Sequence, residues 1–168
     1  MIEHRPPAWA ACLLLLAACG QSESPAKNSV TVKLPPAGVP VAPESSYSSI
    51  DPASCKVVGD SIRRCEGAAG YALEMDGEVA IVAPDGWRSI LDLSKLGTKG
   101  APKLGAKAEW RGPAPGHPHV LIVRVGSDLA IARLEYPACI VAVVAQQSHQ
   151  NEKAREIADG KLPACLGG

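Results

Sequence analysis

From Tyr47 onward, apolar and polar residues alternate along much of the chain with a period of two, the pattern of short strands with one buried and one solvated face. Tyr71 to Met75 and Glu78 to Ala83 flank Asp76-Gly77, and Asp85-Gly86 leads on to Trp87 to Leu93. Two-residue hairpin turns are therefore expected to join three strands in a meander, with Pro84 at a strand end because it has no N–H to give a ladder. Ser94 to Gly105, with three glycines and Pro102, reads as a surface loop. Beyond it Ala106, Ala108 and Trp110 alternate with Lys107, Glu109 and Arg111, a half-buried strand with its tryptophan inward, ended by Gly112-Pro113. His119 to Val125 and Leu129 to Tyr136 form a further hairpin around Gly126-Ser127.

Two segments depart from alternation. Cys139 to Ala145 is apolar almost throughout and rich in valine, as in a strand covered on both faces. A covering element is expected at Ser148 to Asp159, a helix with Ser148 or Asn151 as cap, Ala154, Ile157 and Ala158 on one side, and Gly160 as its stop. The predicted fold class is α+β, mainly antiparallel β: a meander-rich sheet with one C-terminal helix, occupying residues 47–168.

Before Tyr47 the pattern changes twice. Met1 to Pro7 carries Arg5 and Glu3, and an apolar run of 11 residues then extends from Ala8 to Ala18. That length suits the core of a signal peptide and falls short of the roughly 20 residues of a membrane-spanning helix. The run ends in Leu16-Ala17-Ala18-Cys19-Gly20, which resembles the bacterial lipobox. The resemblance implies cleavage before Cys19 and a diacylglyceryl thioether on its sulfur; several acyl chains together would anchor the protein stably to a membrane. Gly20 stands where an aspartate would favour retention at the inner membrane, so the resemblance points to the periplasmic face of the outer membrane. Residues 19–46, with Pro25, Pro35, Pro36, Pro40 and Pro43, read as the lipidated N-terminus and a flexible tether.

Composition narrows the picture further. Lysine plus arginine equal aspartate plus glutamate at 17 each, so no polyanion footprint exists and nucleic acid is not an expected partner. Phenylalanine is absent, which leaves the core to valine, isoleucine, leucine and alanine. Of six cysteines, Cys12 lies in the leader and Cys19 at its end; Cys55, Cys65, Cys139 and Cys165 remain. An even number in an exported chain reads as two disulfides. Three pairings are open, and joining Cys55 to Cys65 and Cys139 to Cys165 closes the shortest loops. The gaps hold no C-x-x-C knuckle for zinc.

The body resembles a group of small, uncharacterised exported proteins of proteobacteria. The likeness rests on Tyr47-Ser-Ser-Ile-Asp-Pro-Ala-Ser-Cys55, Cys65-Glu-Gly-Ala-Ala-Gly-Tyr71, Leu104-Gly-Ala-Lys-Ala-Glu-Trp-Arg111 and Asn151-Glu-Lys-Ala-Arg-Glu-Ile-Ala-Asp159 before Cys165. It implies the domain limits and supports the local cysteine pairing. No functional residue comes with it.

Motifs that could carry chemistry are incomplete. Gly59-Asp60-Ser61-Ile62 resembles the nucleophile block of GDSL-type esterases, but the residues three before His117, His119 and His149 are Ala114, Gly116 and Gln146 rather than the aspartate those enzymes use. A serine nucleophile needs a base. His117-Pro118-His119 offers two imidazoles and no third ligand. Asp76, Glu78 and Asp85 suit turns and solvent faces, and Trp110 with Arg111 could contact a ligand only if the tryptophan left the core. No catalytic residue, metal or cofactor is assigned. The expected function is a noncatalytic binding or scaffolding lipoprotein of the envelope, held by Cys19 and open to a periplasmic protein partner. The alternatives are a hydrolase inhibitor working through Ala101 to Gly105 or Pro113 to Pro118, and, ranked below it, a small hydrolase. Peptide mapping of the unreduced protein should recover fragments joined across Cys55 and Cys65; free thiols at either position would remove the disulfide framework.

Overall fold

The computed structural model describes residues 42–96, 102–114 and 116–167, all within one unit that runs Gly38–Gly168. Ten strands and one α-helix follow in order: β1 Glu44–Ser49, β2 Lys56–Val57, β3 Arg63–Glu66, β4 Ala72–Met75, β5 Val79–Val82, β6 Arg88–Ile90, β7 Leu104–Gly112, β8 Val120–Val125, β9 Asp128–Arg133, β10 Cys139–Val144 and α1 Gln150–Asp159. The class is the one expected, mainly antiparallel β with a single C-terminal helix. The strands, however, form two five-stranded sheets, in the orders β1-β7-β8-β9-β10 and β2-β3-β4-β5-β6. The chain lays down β1, builds the whole second sheet as a meander, then returns to pair β7 against β1 with Ser45 opposite Arg111 and Tyr47 opposite Glu109.

Alternation explains the layering. On one face of the first sheet Ala108, Trp110, Leu121, Val123, Ala130, Ala132 and Ile140 meet Cys65, Leu73, Val79 and Ile81 of the second. On its other face Val120, Ile122, Leu129, Ile131, Val141 and Val144 pack under Ala154 and Ala158 of α1. A sheet covered on both sides needs apolar residues at successive positions, which is why β8 and β10 lose the period of two. The β9–β10 register slips between Ile140 and Ala142. Val141 and Ala142 consequently both meet the helix side, and Val143 returns to the core between the sheets. Past the helix the chain comes back: Leu166 donates its N–H to the Ile140 carbonyl at 2.8 Å.

Several local expectations change. Glu44 to Ser46, assigned to the tether, already belong to β1, and Leu104 and Gly105 belong to β7 rather than to the preceding loop. The β4–β5 and β5–β6 turns are longer than two residues, whereas Gly126-Ser127 joins β8 to β9 as a two-residue turn. Met75 pairs with Val79 and Val82 with Arg88, while Gly77 and Gly86 supply the positive φ, +69° and +93°, that lets each turn close. Neither Ser148 nor Asn151 caps the helix; His149 takes that position with φ 58° and no side-chain cap bond. The helix start is held instead by Gln150, buried, which donates from Nε2 to the carbonyls of Val144 and Ser127 at 2.8 and 3.0 Å and accepts from Arg124 at 3.0 Å.

Trp110 is the largest fully buried side chain, 1% exposed, and its indole N–H donates to Ser48 Oγ at 2.8 Å. Its ring fits only because residue 67 is glycine: a Cβ there would stand 2.2 Å from Trp110 Cζ2. Gly67→Ala must push the ring or the β3 end aside, so it should destabilise the domain by about 1–3 kcal/mol. Urea denaturation followed by tryptophan fluorescence measures this, and an unchanged midpoint would show that the contact yields freely.

Candidate functional site

Cys19 and its lipobox lie outside the described residues, as does Ala101. Within them both local disulfides are present, Cys55–Cys65 with Cα atoms 4.5 Å apart and Cys139–Cys165 with 5.7 Å. The first closes the β2–β3 hairpin, whose turn is the Gly59-Asp60-Ser61-Ile62 block, and Val58 N–H reaches the Ile62 carbonyl at 2.9 Å across it. Ser61 Oγ is bonded to Asp76 Oδ1 at 2.6 Å, on the surface. The hydroxyl donates to a carboxylate of the β4–β5 turn and so ties the two turns together at the surface. His117, His119 and His149 have three different surroundings. His117 is exposed, His119 Nε2 lies 3.2 Å from the Ala158 carbonyl at the end of α1, and His149 stands at the helix start, 3.6 Å from Glu152. Among the described residues no group of three or more His, Cys, Asp or Glu could hold a metal ion, and no helix is long and apolar enough to cross a membrane. His117 and Pro118 fold back on β7, so tightly that a Cβ on Gly112 would lie 2.0 Å from the His117 carbonyl oxygen.

Trp110 and Arg111 point to opposite faces of the first sheet, the tryptophan into the core and the arginine onto the helix side. There Arg111 makes a two-pronged contact with Asp159, from Nε to Oδ1 and from Nη2 to Oδ2 at 2.7 Å. It also reaches Ser45 Oγ at 2.6 Å. One helical turn earlier Arg155 forks onto Glu109 at 2.8 and 3.1 Å and donates to the Tyr47 hydroxyl at 2.8 Å. Ser45 donates to Glu109 at 2.6 Å. Two ion pairs thus rivet α1 to β7 and β1, beside a pocket of about 160 Å³ lined by Tyr47, Lys107, Arg124 and Asn151. Burial opposes ionisation of Glu109, yet the hydrogen bonds from Arg155 and Ser45 and the charges of Arg155 and Arg111 outweigh it and hold the carboxyl below the usual glutamate range. The bond to Asp159 in turn raises the already high Arg111. Planar forked pairs of this kind are the strong form of charge-assisted bond.

A second constellation escaped the sequence because its members are far apart in the chain. Tyr71 stacks on Trp110 with ring centroids 5.9 Å apart. Trp87 meets Tyr71 edge-on at 6.2 Å, and Tyr136 leans on Trp87 at 5.7 Å. The array begins in the core and ends at Tyr136, 69% exposed. Burial, with a smaller effect from the Asp85 charge, pushes the Tyr71 phenol up, which places Asp85 within electrostatic reach of the array. Only the inward position of Trp110 was legible beforehand; alternation says which face a residue takes and nothing about partners on another sheet.

Set against protein-family models, curated proteins and solved structures, the chain matches none.

Because Glu109 ionises below the ordinary glutamate value of 4.5 in the folded protein, its contribution is complete above that value and is lost as pH falls through the lowered one. Glu109→Gln should cost about 2 kcal/mol at pH 7, since it leaves Arg155 without its charged partner. In urea titrations from pH 7 to pH 3 the gap between wild type and variant should close at the acid end; a constant gap would mean that the carboxylate charge does not hold the helix.

Proposed function

We propose that this chain is a lipid-anchored protein of the bacterial envelope, on the periplasmic face of the outer membrane, whose folded domain is a noncatalytic binding or scaffolding module on a stalk. The observation that carries the reading is the distribution of sulfur. Cys55 with Cys65 and Cys139 with Cys165 account for every cysteine of the body, and disulfides of this kind persist in oxidising compartments. In a chain cut before Cys19, that residue is then the one cysteine left for a thioether, and Leu16-Ala17-Ala18 precede it in the lipobox order.

The noncatalytic part of the reading is supported by Ser61, whose hydroxyl is bonded to the Asp76 carboxylate between two surface turns. Arg111, the ligand contact considered from sequence, is bonded instead to Asp159 and serves the fold. The stalk follows from where β1 begins. Gly20 to Pro43 comprises 24 residues, and a segment of that length spans about 30 Å as a coil and roughly 75 Å as polyproline II. Such a reach lifts the domain clear of lipid headgroups and into the periplasm.

In cells fractionated after expression, the wild-type protein should sediment with outer membranes and be released by detergent. Cys19→Ala should appear in the soluble fraction or remain uncleaved. A Cys19→Ala protein that still fractionates with membranes and needs detergent for release would overturn the lipid anchor.

A further inference from the structure

We infer that the exposed end of the aromatic array, Tyr136 resting on Trp87 with Asp85 in the same turn as Trp87, is a binding platform for a pyranose glycan. The inference rests on the reading of the domain as an envelope binding module and names the ligand class of that module.

The first ground is how the aromatic residues are used. Tyr47, Tyr71, Trp87, Trp110 and Tyr136 are the aromatic side chains after Cys19, and four of the five form one continuous array. The aliphatic core does not require this, because both apolar clusters are otherwise built from alanine, valine, leucine and isoleucine together with Cys65, with Met75, Cys55 and Cys139 at their margins. Packing accounts for Trp110. It does not account for Tyr136, which sits between β9 and β10 with 69% of its surface exposed. An array rooted in the core holds the outer rings still. Trp87 is set by Tyr71, and Tyr71 is set by Trp110 stacked at 28°. Aromatic rings already fixed lose little entropy on binding, which is what an anchoring residue needs.

The second ground is chemical. A pyranose ring in its chair form offers a face of C–H bonds, each slightly positive, that settles on the negative face of an aromatic ring. Around its edge it carries hydroxyls and, in N-acetylated sugars, amide N–H groups, all of which seek acceptors. Acceptors neighbour the platform in the chain. Asp85 lies two residues before Trp87 and its charge is felt at Tyr71, and Glu135, 77% exposed and 4.0 Å from Arg133, lies directly before Tyr136. The cation beside Trp87, Arg88, is paired to Glu74 at 3.1 Å, so the free charge next to the outer rings is carboxylate, which suits a neutral polyol.

The test uses the mature, lipidated protein in detergent micelles. It is titrated with a β-1,4-linked N-acetylglucosamine hexamer while tryptophan emission is recorded, and in parallel it is sedimented with purified peptidoglycan sacculi. Wild type should give a saturable change in emission and pellet with sacculi. Tyr136→Ala, at an exposed site, should keep the wild-type urea midpoint yet bind at least about tenfold more weakly, as expected for loss of an aromatic anchor. Tyr136→Phe should stay within about twofold of wild type, since the ring face and not the hydroxyl makes the contact, and Tyr47→Ala on the helix side should leave binding unchanged. No saturable response together with no sedimentation by wild type would overturn the platform, and so would Tyr136→Ala binding as tightly as wild type. Membrane fractionation of the same preparations reads the anchor separately, so a soluble protein that binds glycan refutes the lipid reading alone, and an anchored protein that ignores glycan refutes the platform alone.

Discussion

Strands β8, β9 and β10 carry apolar side chains on both faces, and neither face can be left to water. On one side Leu121, Val123, Ala130 and Ala132 require a second sheet; on the other Val120, Ile122, Ile131 and Val141 require the helix. These two demands organise the rest of the domain. The second sheet is short-stranded and needs only a meander to present Leu73, Val79 and Ile81. The helix is the weaker partner, because Ala154 and Ala158, its two fully buried apolar side chains, offer little area to bury. What it lacks in apolar contact is supplied by forked ion pairs along its flank, by Gln150 at its start and by the Cys139–Cys165 bridge beyond its end.

Electrostatics and burial therefore divide the first sheet along its width. On the helix side its β8–β10 part is held by hydrophobic burial, whereas its β1–β7 part is held by charge, with Glu109 and Arg111 facing Arg155 and Asp159. The arrangement lets β1 be polar. Ser45 and Tyr47 contribute through hydroxyl groups to the same network, and Ser48 receives the Trp110 indole from the other face. A strand of sequence ESSYSS has almost no apolar reason to join a sheet; hydrogen bonds from β7, and side chains bonded on both faces, give it one.

Legibility in the sequence followed the range of the interactions. Period-two alternation located β4 to β9 and the inward Trp110, the valine run announced β10, and Gly160 ended the helix where expected. The pairing of residues 44–49 with 107–112 was invisible because it depends on contacts more than fifty residues apart and on hydroxyls instead of apolar spacing, so two sheets were read as one and Glu44 to Ser46 as tether. The helix cap was misplaced for a related reason. Ser148 and Asn151 are good capping residues by type, yet Gln150 holds the helix start through carbonyls at Ser127 and Val144 that only the tertiary fold brings there. Of the site, the disulfides were readable from cysteine parity and loop length. The aromatic array was not, since Tyr71, Trp87, Trp110 and Tyr136 share no local pattern.

The return of the chain from α1 to β10 bears on how such domains behave when crowded. The outer strands of a sheet expose unpaired backbone groups that can template pairing with another molecule. In the second sheet the outer strands are two and three residues long, too short to template much. At β10 the Leu166 N–H takes the Ile140 carbonyl while the Cys139–Cys165 bridge keeps the tail in place, so that margin is occupied by the protein's own chain. Among the described residues the serine-rich β1 is left as the long free margin of the first sheet. If molecules gather in two dimensions on a membrane, as proposed, neighbours meet far more often than in dilute solution, and the fold would leave one polar margin open to them while the valine-rich one is closed covalently.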